Sequence, residues 1–357
     1  MNSEMGCQLS IITVCFNAKE ELKQTIESVL KHKRLYSLSI EHVIVDGAST
    51  DGTPELLKEY HAAGYVEVFV SEPDAGIYDG MNKGIHMATG KVLYFLNAGD
   101  VLTCESLEKW VTPIAQGRYM TAAAAVLRVS GDSQVLEVPA FEYVYLGTPV
   151  CHQGYFAAAS LYRELGGYDS ATYRCLADAD FINRAFAATG VPYENPLPVS
   201  VYADGGFSAD CGYRFLPEYF EMRNRHWDLV LKRCREDAHY AELISFALLE
   251  HCSYLVSWVA EFGLEKSNIE LHLRHLTTLR RVTRSVKQKI LLLWAEKVCV
   301  YQLMTLRKTT MLVTKLTKWV TIAGSLRPDN PYMKMKHYPH RSLRKALYAL
   351  LRGWFVH

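Results

Sequence analysis

The first hundred residues alternate short apolar runs with segments of helical periodicity, and this alternation limits the possible folds more than any other feature. The apolar runs carry almost no polar alternation, which is typical of strands buried on both faces, and the helical segments between them favour parallel pairing. The predicted strands are Leu9–Cys15, His42–Val45, Val66–Val70 and Val92–Leu96, and the predicted helices are Lys19–Lys31, Pro54–His61 and Tyr78–Ala88. The pattern predicts an open, wound α/β sheet.

The rest of the chain divides into a mixed region and a helical region. Further strands are predicted at Ala122–Val129, Val135–Val138, Gly154–Ala158 and Pro198–Tyr202, with a helix at Leu176–Thr189. Beyond residue 216 the predicted helices are Pro217–Glu236, Ala238–Phe262, Asn268–Ala295, Glu296–Ile322 and Ser342–Leu351. The change of class predicts an α/β domain over residues 1–215 and a helical region over 216–357.

The net charge of +1 conceals an acidic body and a basic tail. Residues 1–270 hold 21 Lys and Arg against 36 Asp and Glu, whereas residues 271–357 hold 18 against 2. The tail interleaves its cations with apolar and aromatic residues, so it either packs as helices with a solvated basic face, lies on an anionic membrane surface, or pairs with the acidic body. It carries no nucleic-acid-binding motif, and we expect no nucleic-acid partner.

The cysteines and the N-terminal residues indicate the cellular compartment of the protein. Nine cysteines without a C-x-x-C pair argue against a disulfide framework and a zinc ribbon, and favour a reducing environment. Met1–Ser10 lacks the basic and apolar segments of a secretory signal, and no apolar run approaches the ~20 residues that span a bilayer. We expect a cytoplasmic protein, with peripheral contact to the inner face of the membrane as the alternative.

Acidic groups follow three successive predicted strands. Asp46 ends the second strand, Glu72 and Asp74 follow the third, and Asn97 and Asp100 follow the fourth. Ligands bind beyond the carboxyl ends of strands in open parallel sheets, so these groups should meet in one crevice. Oxygen ligands of this kind suit Mg²⁺ or Mn²⁺ bound to substrate phosphates, although each Asp in a D-G setting also fits ordinary turn chemistry.

Two other nucleotide-binding motifs are absent from the sequence. The turn after the first strand reads TVCFNAKEE and has no G-x-G-x-x-G, so a dinucleotide-binding fingerprint is excluded. The segment from Gly84 to Lys91 has the wrong glycine spacing for a P-loop, and Val92 stands where a Ser or Thr would bind Mg²⁺.

Three segments, SIITVCFNA, VIVDGASTDGT and EPDAGIYDGMNKGIHMATGKVLYFLNAGD, together resemble family 2 glycosyltransferases of the GT-A fold. The resemblance is to bacterial enzymes of polysaccharide biosynthesis such as colanic acid glycosyltransferases, and it covers residues 9–208. It implies a wound sheet that binds a nucleotide-diphosphate sugar, and it does not extend to the basic helical region that follows. It also implies Mn²⁺ or Mg²⁺, which assists departure of the nucleoside diphosphate.

The resemblance implies a role for residues of the donor half. Thr13, Phe16 and Asn17 would line the nucleotide pocket, Asp46 would hydrogen-bond the base, and Ser49 with Asp51 would sit beside it. The segment closing over the ribose and sugar would supply Asp74, Gly76, Ile77, Tyr78, Asn82 and Lys83. Asn97, Ala98 and Asp100 occupy the place of the D-x-D metal motif, with Asp100 as the metal ligand. Asn97 replaces the usual acidic residue, which predicts weaker metal affinity.

The segment HQGYFAAASLYRELGGYDSATYRCLADADFINRA resembles the acceptor half of the same fold. It implies that Asp178 is the general base of an inverting transfer, with Asp180 as the rival two residues later. Asp180 also fits an acidic first turn of a helix, where it would favour the helix dipole, and Arg184 could pair with either residue. His152 and Gln153 would bind acceptor or diphosphate, as would Gly206 and Ser208 of the G-G-x-S segment.

Together these features predict an inverting glycosyltransferase. It would move a sugar, first of all from a UDP-sugar, to a hydroxyl of a lipid-linked (polyprenyl diphosphate) or oligosaccharide acceptor in surface polysaccharide biosynthesis. Two alternatives stay open. One is a nucleotidyltransferase, although its Gly-rich, Arg-containing first loop is missing. The other is a non-catalytic sugar-nucleotide-binding or scaffold protein of a membrane assembly, which Asn97 and Ala177 keep open because both depart from the family pattern.

Overall fold

The computed structural model describes residues 7–203, apart from 104, 142, 143, 146 and 147, and then 205, 216–242, 266–283 and positions 244, 245, 248, 289, 292, 293, 295 and 296. The chain divides into two compact units, residues 1–222 and 223–357. The predicted helices over 297–357, and most of Ala238–Phe262, lie outside the described residues, as do Gly206 and Ser208.

The first unit is built around one nine-stranded mixed sheet. Its strands are β1 (Leu9–Cys15), β2 (Ile40–Asp46), β3 (Val68–Ser71), β4 (Val92–Phe95), β5 (Val101–Leu102), β6 (Thr121–Ser130), β7 (Ser133–Glu137), β8 (Tyr155–Ala158) and β9 (Tyr193–Ala203). The order is β3-β2-β1-β4-β8-β6-β9-β5, and β7 pairs with β6. The first four strands are parallel, as the alternation predicts.

Helices connect these strands and continue beyond the sheet. They are α1 (Lys19–Leu35), α2 (Thr53–Ala62), α3 (Ile77–Met87), α4 (Glu108–Ala115), α5 (Ala159–Leu165), α6 (Ala177–Thr189), α7 (Leu216–Arg225), α8 (Trp227–Glu236) and α9 (Lys266–Val282). The sequence pattern missed β5, α4 and α5. Strand β5 has only two residues, α5 has only seven, and α4 contains Pro113, which ordinarily signals a helix boundary.

The sheet changes direction between β4 and β8, and this change positions the functional loops. Strand β8 runs antiparallel to β4, with Val92 opposite Ala158 and Tyr94 opposite Phe156. The carboxyl end of β4 therefore lies beside the amino end of β8. The chain leaving β4 and the short 3₁₀ turn entering β8 (His152–Gly154) consequently meet at one edge of the sheet.

Stacked aromatic side chains fill the core of the first unit around this junction. Tyr94 and Phe156 stack with ring centroids 4.3 Å apart, and Trp110 stacks on Phe156 at 5.8 Å. All three are fully buried. Because side chains of this size bury 150–250 Å² each, the core is well anchored where β4 meets β8.

The predicted helix Pro217–Glu236 is wrong as a single element. The structure has two helices, α7 and α8, that are interrupted at His226. The break accompanies packing of Trp227, whose ring stacks on His275 at 4.0 Å and whose Nε1 donates to the Thr278 hydroxyl at 2.9 Å. Among the described residues no helix is both long and apolar enough to cross a membrane.

The described cysteines include one that is oxidised. Cys7, Cys15, Cys151 and Cys234 are free thiols, whereas Cys175 is disulfide-bonded. The spacing of cysteines along the chain gave no sign of this bond, because pairing depends on which residues the fold brings together.

A buried neutral histidine makes stability depend on pH. Burial, with the charge of Lys33 nearby, lowers the pKa of His42 to about 3, so below pH 6.5 the unfolded chain binds a proton that the native protein does not. As the pH falls below 6.5, His42 should therefore lower the free energy of unfolding by about 1.4 kcal/mol for each pH unit. We expect His42→Gln to lose about 2 kcal/mol less than the wild type between pH 7 and pH 5 in urea unfolding. Equal losses in both proteins would contradict the prediction.

Candidate active site

The crevice at the carboxyl ends of β1, β2 and β4 is built from loops that hydrogen-bond to one another. The Asn17 backbone N–H donates to the Ser49 hydroxyl at 2.7 Å, and the Thr50 backbone N–H donates to Asn17 Oδ1 at 2.8 Å. Asn17 adopts a left-handed conformation (φ +48°), which Asn tolerates better than most residues. These contacts join the loops after β1 and β2 into one wall.

Thr13 and Asp46 lie under this wall with no exposed surface. The Asp46 carboxylate accepts hydrogen bonds from the Ser49 N–H and hydroxyl and from the Ser71 hydroxyl at 2.6 Å. The Thr13 hydroxyl donates to the Leu96 carbonyl at 2.7 Å and accepts from His42 Nε2 at 2.9 Å. This burial argues against direct contact of Thr13 or Asp46 with a nucleotide and indicates that both hold the loops in place.

Asp51 uses its side chain to stabilise a turn, which is one of the two roles that the sequence left open for an Asp in a D-G setting. Its carboxylate accepts from the Lys19 N–H at 3.0 Å and from the Thr53 N–H and hydroxyl at 3.0 and 2.6 Å. The hydrogen bond from the Thr53 hydroxyl is the main reason that the pKa of Asp51 is lowered. Asp51 therefore fixes the start of α2.

The surface of the crevice that stays open is formed by Phe16 and Asp74. The Phe16 ring is 65% exposed at the end of β1. Asp74 Oδ1 accepts from the Gly76 N–H at 2.9 Å, and Asp74 Oδ2 lies 2.8 Å from where a side chain on Gly47 would begin. Gly76 has φ +129° immediately before Ile77 starts α3, a conformation that favours glycine.

Two residues of α3 that were predicted to face the sugar bind protein groups instead. The Asn82 amide donates to the Tyr168 carbonyl at 2.8 Å and accepts from the Tyr168 N–H at 2.9 Å. Lys83 Nζ donates to the Pro73 carbonyl at 2.7 Å and pairs with Glu72 at 2.9 Å. Asn82 therefore joins α3 to the acceptor half, and Lys83 holds the loop that carries Asp74.

The segment after β4 brings Asn97, Ala98 and Asp100 to the sheet edge. Asp100 Oδ2 accepts from Gln153 Nε2 at 3.0 Å, and burial raises the pKa of Asp100 to about 6. Asn97 Nδ2 donates to His152 Nε2 at 3.0 Å, while Asn97 Oδ1 is buried and accepts no hydrogen bond. Ala98 supplies only backbone here, since its N–H donates to the Val14 carbonyl at 3.4 Å.

His152 connects this segment to Asp178 at the start of α6. His152 Nε2 accepts from an amide nitrogen, so the ring proton is on Nδ1, which faces Asp178 Oδ2 at 3.4 Å. Asp178 Oδ1 accepts from the Tyr78 hydroxyl and the Ala179 N–H, at 2.9 and 2.8 Å. Burial acts to raise the pKa of Asp178, but the hydrogen bonds that its carboxylate accepts from His152, Tyr78 and the Ala179 N–H outweigh burial and lower the pKa.

Asp180 has a different environment from Asp178. Its side chain is fully buried, and its carboxylate pairs with Arg184 Nε at 2.7 Å. The same guanidinium donates to the carbonyls of Leu165 and Gly167, each at 2.7 Å. Asp178, in contrast, keeps 16% of its side chain exposed. Of the two, Asp178 is the one that reaches the crevice.

Asn97 and Asp100 fit a divalent cation whose coordination is completed by phosphate oxygens of the substrate. No group of three or more His, Cys, Asp or Glu side chains able to hold a metal occurs in the described part of the chain. Mg²⁺, however, commonly uses one or two carboxylates together with phosphate oxygens. The unpaired Asn97 Oδ1 and the buried Asp100 carboxylate offer oxygen ligands of this kind, and a cation would offset the cost of burying that charge.

The sequence did not predict the roles that Tyr78 and Glu218 have at this site. Tyr78 was predicted to face the ribose or sugar, but its hydroxyl contacts Asp178 and the Cys175 carbonyl. Glu218, on α7, accepts hydrogen bonds from the backbone just before α6. An acidic residue in the first turn of a helix is common, so nothing in the sequence singled out Glu218.

Comparisons with known proteins agree with this architecture. Residues 10–147 match the family described as glycosyl transferase family 2. An uncharacterized glycosyltransferase of Mycobacterium tuberculosis, Rv1514c, is 28% identical, over 63% of this chain and 97% of its own length. A PGL/p-HBAD biosynthesis glycosyltransferase of Mycobacterium bovis is also 28% identical, over 56% of this chain and 78% of its own.

A solved structure, Staphylococcus aureus TarS 1–349 in complex with UDP-GlcNAc, superposes with a TM-score of 0.61 at 15% identity. The superposition covers 83% of this chain and 89% of TarS 1–349. The wound sheet and the crevice at its edge define a glycosyltransferase of the GT-A fold. The family match over residues 10–147 confirms the resemblance to glycosyltransferase family 2 that the three segments predicted.

Proposed function

We propose that this enzyme transfers a sugar with inversion from a nucleotide-diphosphate donor, first of all a UDP-sugar, to a hydroxyl group of its acceptor. The observation that carries the proposal is the hydrogen-bonded connection of Asn97, His152 and Asp178 beside Asp100. It joins the segment suited to a diphosphate and its cation to one carboxylate suited to deprotonating a hydroxyl. Inverting transfer is a single displacement by the acceptor hydroxyl. It needs a site for the departing diphosphate and a base for the hydroxyl, but it needs no enzyme nucleophile.

The donor half of the proposal rests on the open part of the crevice. Phe16 offers an exposed aromatic face for a base, and Asp74 offers a carboxylate for ribose or sugar hydroxyls, with Gly76 and Ile77 closing beside it. Asn17, Ser49 and Asp51 hold the wall around them. A UDP-sugar is the first donor to test because the structurally similar TarS was crystallised with UDP-GlcNAc.

A Mn²⁺ or Mg²⁺ ion bound by Asp100 and Asn97 would offset the charge that develops on the departing nucleoside diphosphate. Gln153 keeps Asp100 in place through the hydrogen bond to Oδ2. His152 holds the Asn97 amide so that Oδ1 faces away from the histidine. Because Asn97 brings no charge, we expect a weaker metal site than two carboxylates would form.

Asp178 is proposed as the general base. Its lowered pKa keeps the carboxylate charged at neutral pH, ready to accept a proton from the attacking hydroxyl. Tyr78 and His152 hold the two carboxylate oxygens from different sides, which fixes the direction in which a remaining lone pair points. Asp180 is bound in its ion pair with Arg184 and serves the helix.

The acceptor and the cellular setting are proposed from the relatives and from the tail. The match to an enzyme of PGL/p-HBAD biosynthesis supports a role in the assembly of surface polysaccharide or glycolipid. A lipid-linked acceptor on a polyprenyl diphosphate, or an oligosaccharide, would suit a cytoplasmic enzyme that is peripheral on the inner membrane face. The basic residues from 271 onward, in the proposed helical region 216–357, would bind anionic head groups there.

The test of this proposal is a thermal-shift panel of UDP, GDP, CDP and dTDP, each with and without Mn²⁺. A nucleotide at 100 times its Kd should stabilise the protein by about 2.7 kcal/mol. We expect UDP to stabilise most and to need Mn²⁺, and we expect Asp100→Asn to lose the Mn²⁺ dependence. Stabilisation by another nucleotide would change the donor class, and no stabilisation by any nucleotide would contradict the proposal and favour the scaffold alternative.

A substitution at Gly47 should weaken donor binding. An alanine Cβ there would lie 2.8 Å from Asp74 Oδ2 and in ordinary contact, at 3.4 Å, with the Phe16 ring, so the Asp74 carboxylate would have to move. Such overpacking costs about 1–3 kcal/mol, and we expect Gly47→Ala to raise the Kd for the stabilising nucleotide about tenfold or more. Isothermal titration measures the change, and an unchanged Kd would remove Asp74 from the donor site.

A further inference from the structure

The Glu218 carboxylate on α7 lies against three consecutive backbone N–H groups. The Arg174 N–H donates to Oε1 at 2.8 Å, and the N–H groups of Cys175 and Leu176 donate to Oε2 at 2.8 and 3.1 Å. Few side chains satisfy three neighbouring backbone donors at once. Glu218 is therefore a specific partner of the segment 174–176.

These three N–H groups immediately precede α6, which begins at Ala177. Successive backbone N–H groups form a concave, positively polarised surface, and the N-terminus of a helix adds unpaired donors and the positive end of the helix dipole. Such a surface stabilises an anion, and Glu218 supplies that anion from within the chain. Hydrogen bonds to a charged acceptor are stronger than neutral ones, so the segment is firmly held.

The segment that Glu218 holds carries the proposed base. Asp178 is the second residue of α6, two positions after the last N–H that Glu218 binds. The Tyr78 hydroxyl lies 2.9 Å from the Cys175 carbonyl oxygen and 2.9 Å from Asp178 Oδ1. Glu218 therefore fixes the N–H groups of this turn, and Tyr78 fixes its carbonyl and the base itself.

We propose that Glu218 is a positioning residue for Asp178. It fixes the backbone from which the carboxylate projects, so that the base meets the acceptor hydroxyl in the productive direction. The inference rests on the proposed role of Asp178 in catalysis. Glu218 lies beyond residues 10–147, which match the family, so the comparison with the family assigns it no role.

The test compares Glu218→Ala and Glu218→Gln with Glu221→Ala, which removes an exposed acidic residue from the same helix. The probe is UDP release with Mn²⁺ from UDP-glucose, UDP-galactose and UDP-GlcNAc, with water as the acceptor. A base displaced by about 1 Å can cost ~10²-fold, so we expect Glu218→Ala to lower kcat by about that factor at an unchanged donor KM. Glu218→Gln keeps one acceptor oxygen and should lose less, and Glu221→Ala should match the wild type.

Two further readouts separate positioning from a general loss of structure. In the Asp178→Asn background, Glu218→Ala should lower kcat no further, because it acts only through the residue already removed. Hydrogen exchange at the amides of 174–176 should accelerate in both Glu218 variants while the exchange of β1 and β4 stays slow. Glu218→Gln provides the exchange measurement if the alanine variant fails to fold.

Each outcome decides the inference. If the wild type releases UDP and Glu218→Ala does so equally fast, Glu218 does not position the base. The inference would also be overturned if Glu218→Ala lowered kcat by the same factor in the Asp178→Asn background as in the wild type. Unchanged hydrogen exchange at the amides of 174–176 would overturn it as well. If the wild type releases no UDP from any donor, the proposed catalytic function fails, and the role of Glu218 in catalysis fails with it. The exchange data then still show whether Glu218 holds the turn, so the two failures are distinguishable.

Discussion

Asp178→Asn should reduce kcat by about 10²–10⁴-fold while nucleotide binding and thermal stability stay close to the wild type. The asparagine keeps an oxygen that can accept from Tyr78 and Ala179, so the start of α6 should be preserved. It cannot accept the proton of the attacking hydroxyl at neutral pH. Steady-state UDP release and isothermal titration with the nucleotide measure the two quantities separately.

Asp180→Asn is the matched control for this substitution. It makes the same chemical change two residues away, in a side chain that is fully buried and paired with Arg184. We expect it to lower stability but to leave kcat within a few-fold of the wild type for the protein that folds. If Asp180→Asn abolished turnover and Asp178→Asn did not, the assignment of the base would be reversed. Full activity in both variants would show that neither carboxylate is the base.

Arg184→Met should destabilise the protein by about 3–5 kcal/mol, the largest effect on stability that we expect from the ion pairs of this unit. The substitution keeps much of the side-chain volume but removes the cation from the fully buried Asp180 carboxylate. It also leaves the carbonyls of Leu165 and Gly167 without the guanidinium that donates to them. Urea unfolding at pH 7 gives the difference in the free energy of unfolding.

Arg163→Met on α5 is the control, because that arginine is exposed. Exposed charges contribute little, so this variant should lie within about 0.5 kcal/mol of the wild type. The double variant Asp180→Asn with Arg184→Met should be more stable than Arg184→Met alone, since it buries no unpaired charge. A loss below 1 kcal/mol in Arg184→Met would show that the pair contributes little to the fold.

The parallel half of the fold could be predicted from sequence because its signal is local. Strands such as Leu9–Cys15 are short, apolar and flanked by helical periodicity, and the structure reproduces that strand without change. The acidic residues at the strand ends were likewise visible, because the direction of parallel strands places their carboxyl ends together. The two-residue strand Val101–Leu102 left no comparable pattern.

The roles of individual side chains were harder to predict, because they depend on contacts that are distant in sequence. Asp46 and Asp74 look alike in the sequence, yet Asp46 is buried by Ser49 and Ser71 while Asp74 stays partly open beside Gly47. Asp178 and Asp180 differ only in which partner the fold brings to each. Glu218 lies 42 residues or more from the N–H groups that it binds. No local pattern carries such information.

The antiparallel pairing of β4 with β8 has a consequence for how enzymes of this architecture can diversify. It assembles the site from the chain that leaves β4 and the chain that enters β8, so the segment 96–154 between them returns to the place from which it left. The turn between β6 and β7, at Gly131 with φ +55°, lies within that excursion. Insertions there cost little entropy and need not move the two ends. This turn is thus a natural point for the chain to accommodate new segments, and a practical one for attaching an affinity handle.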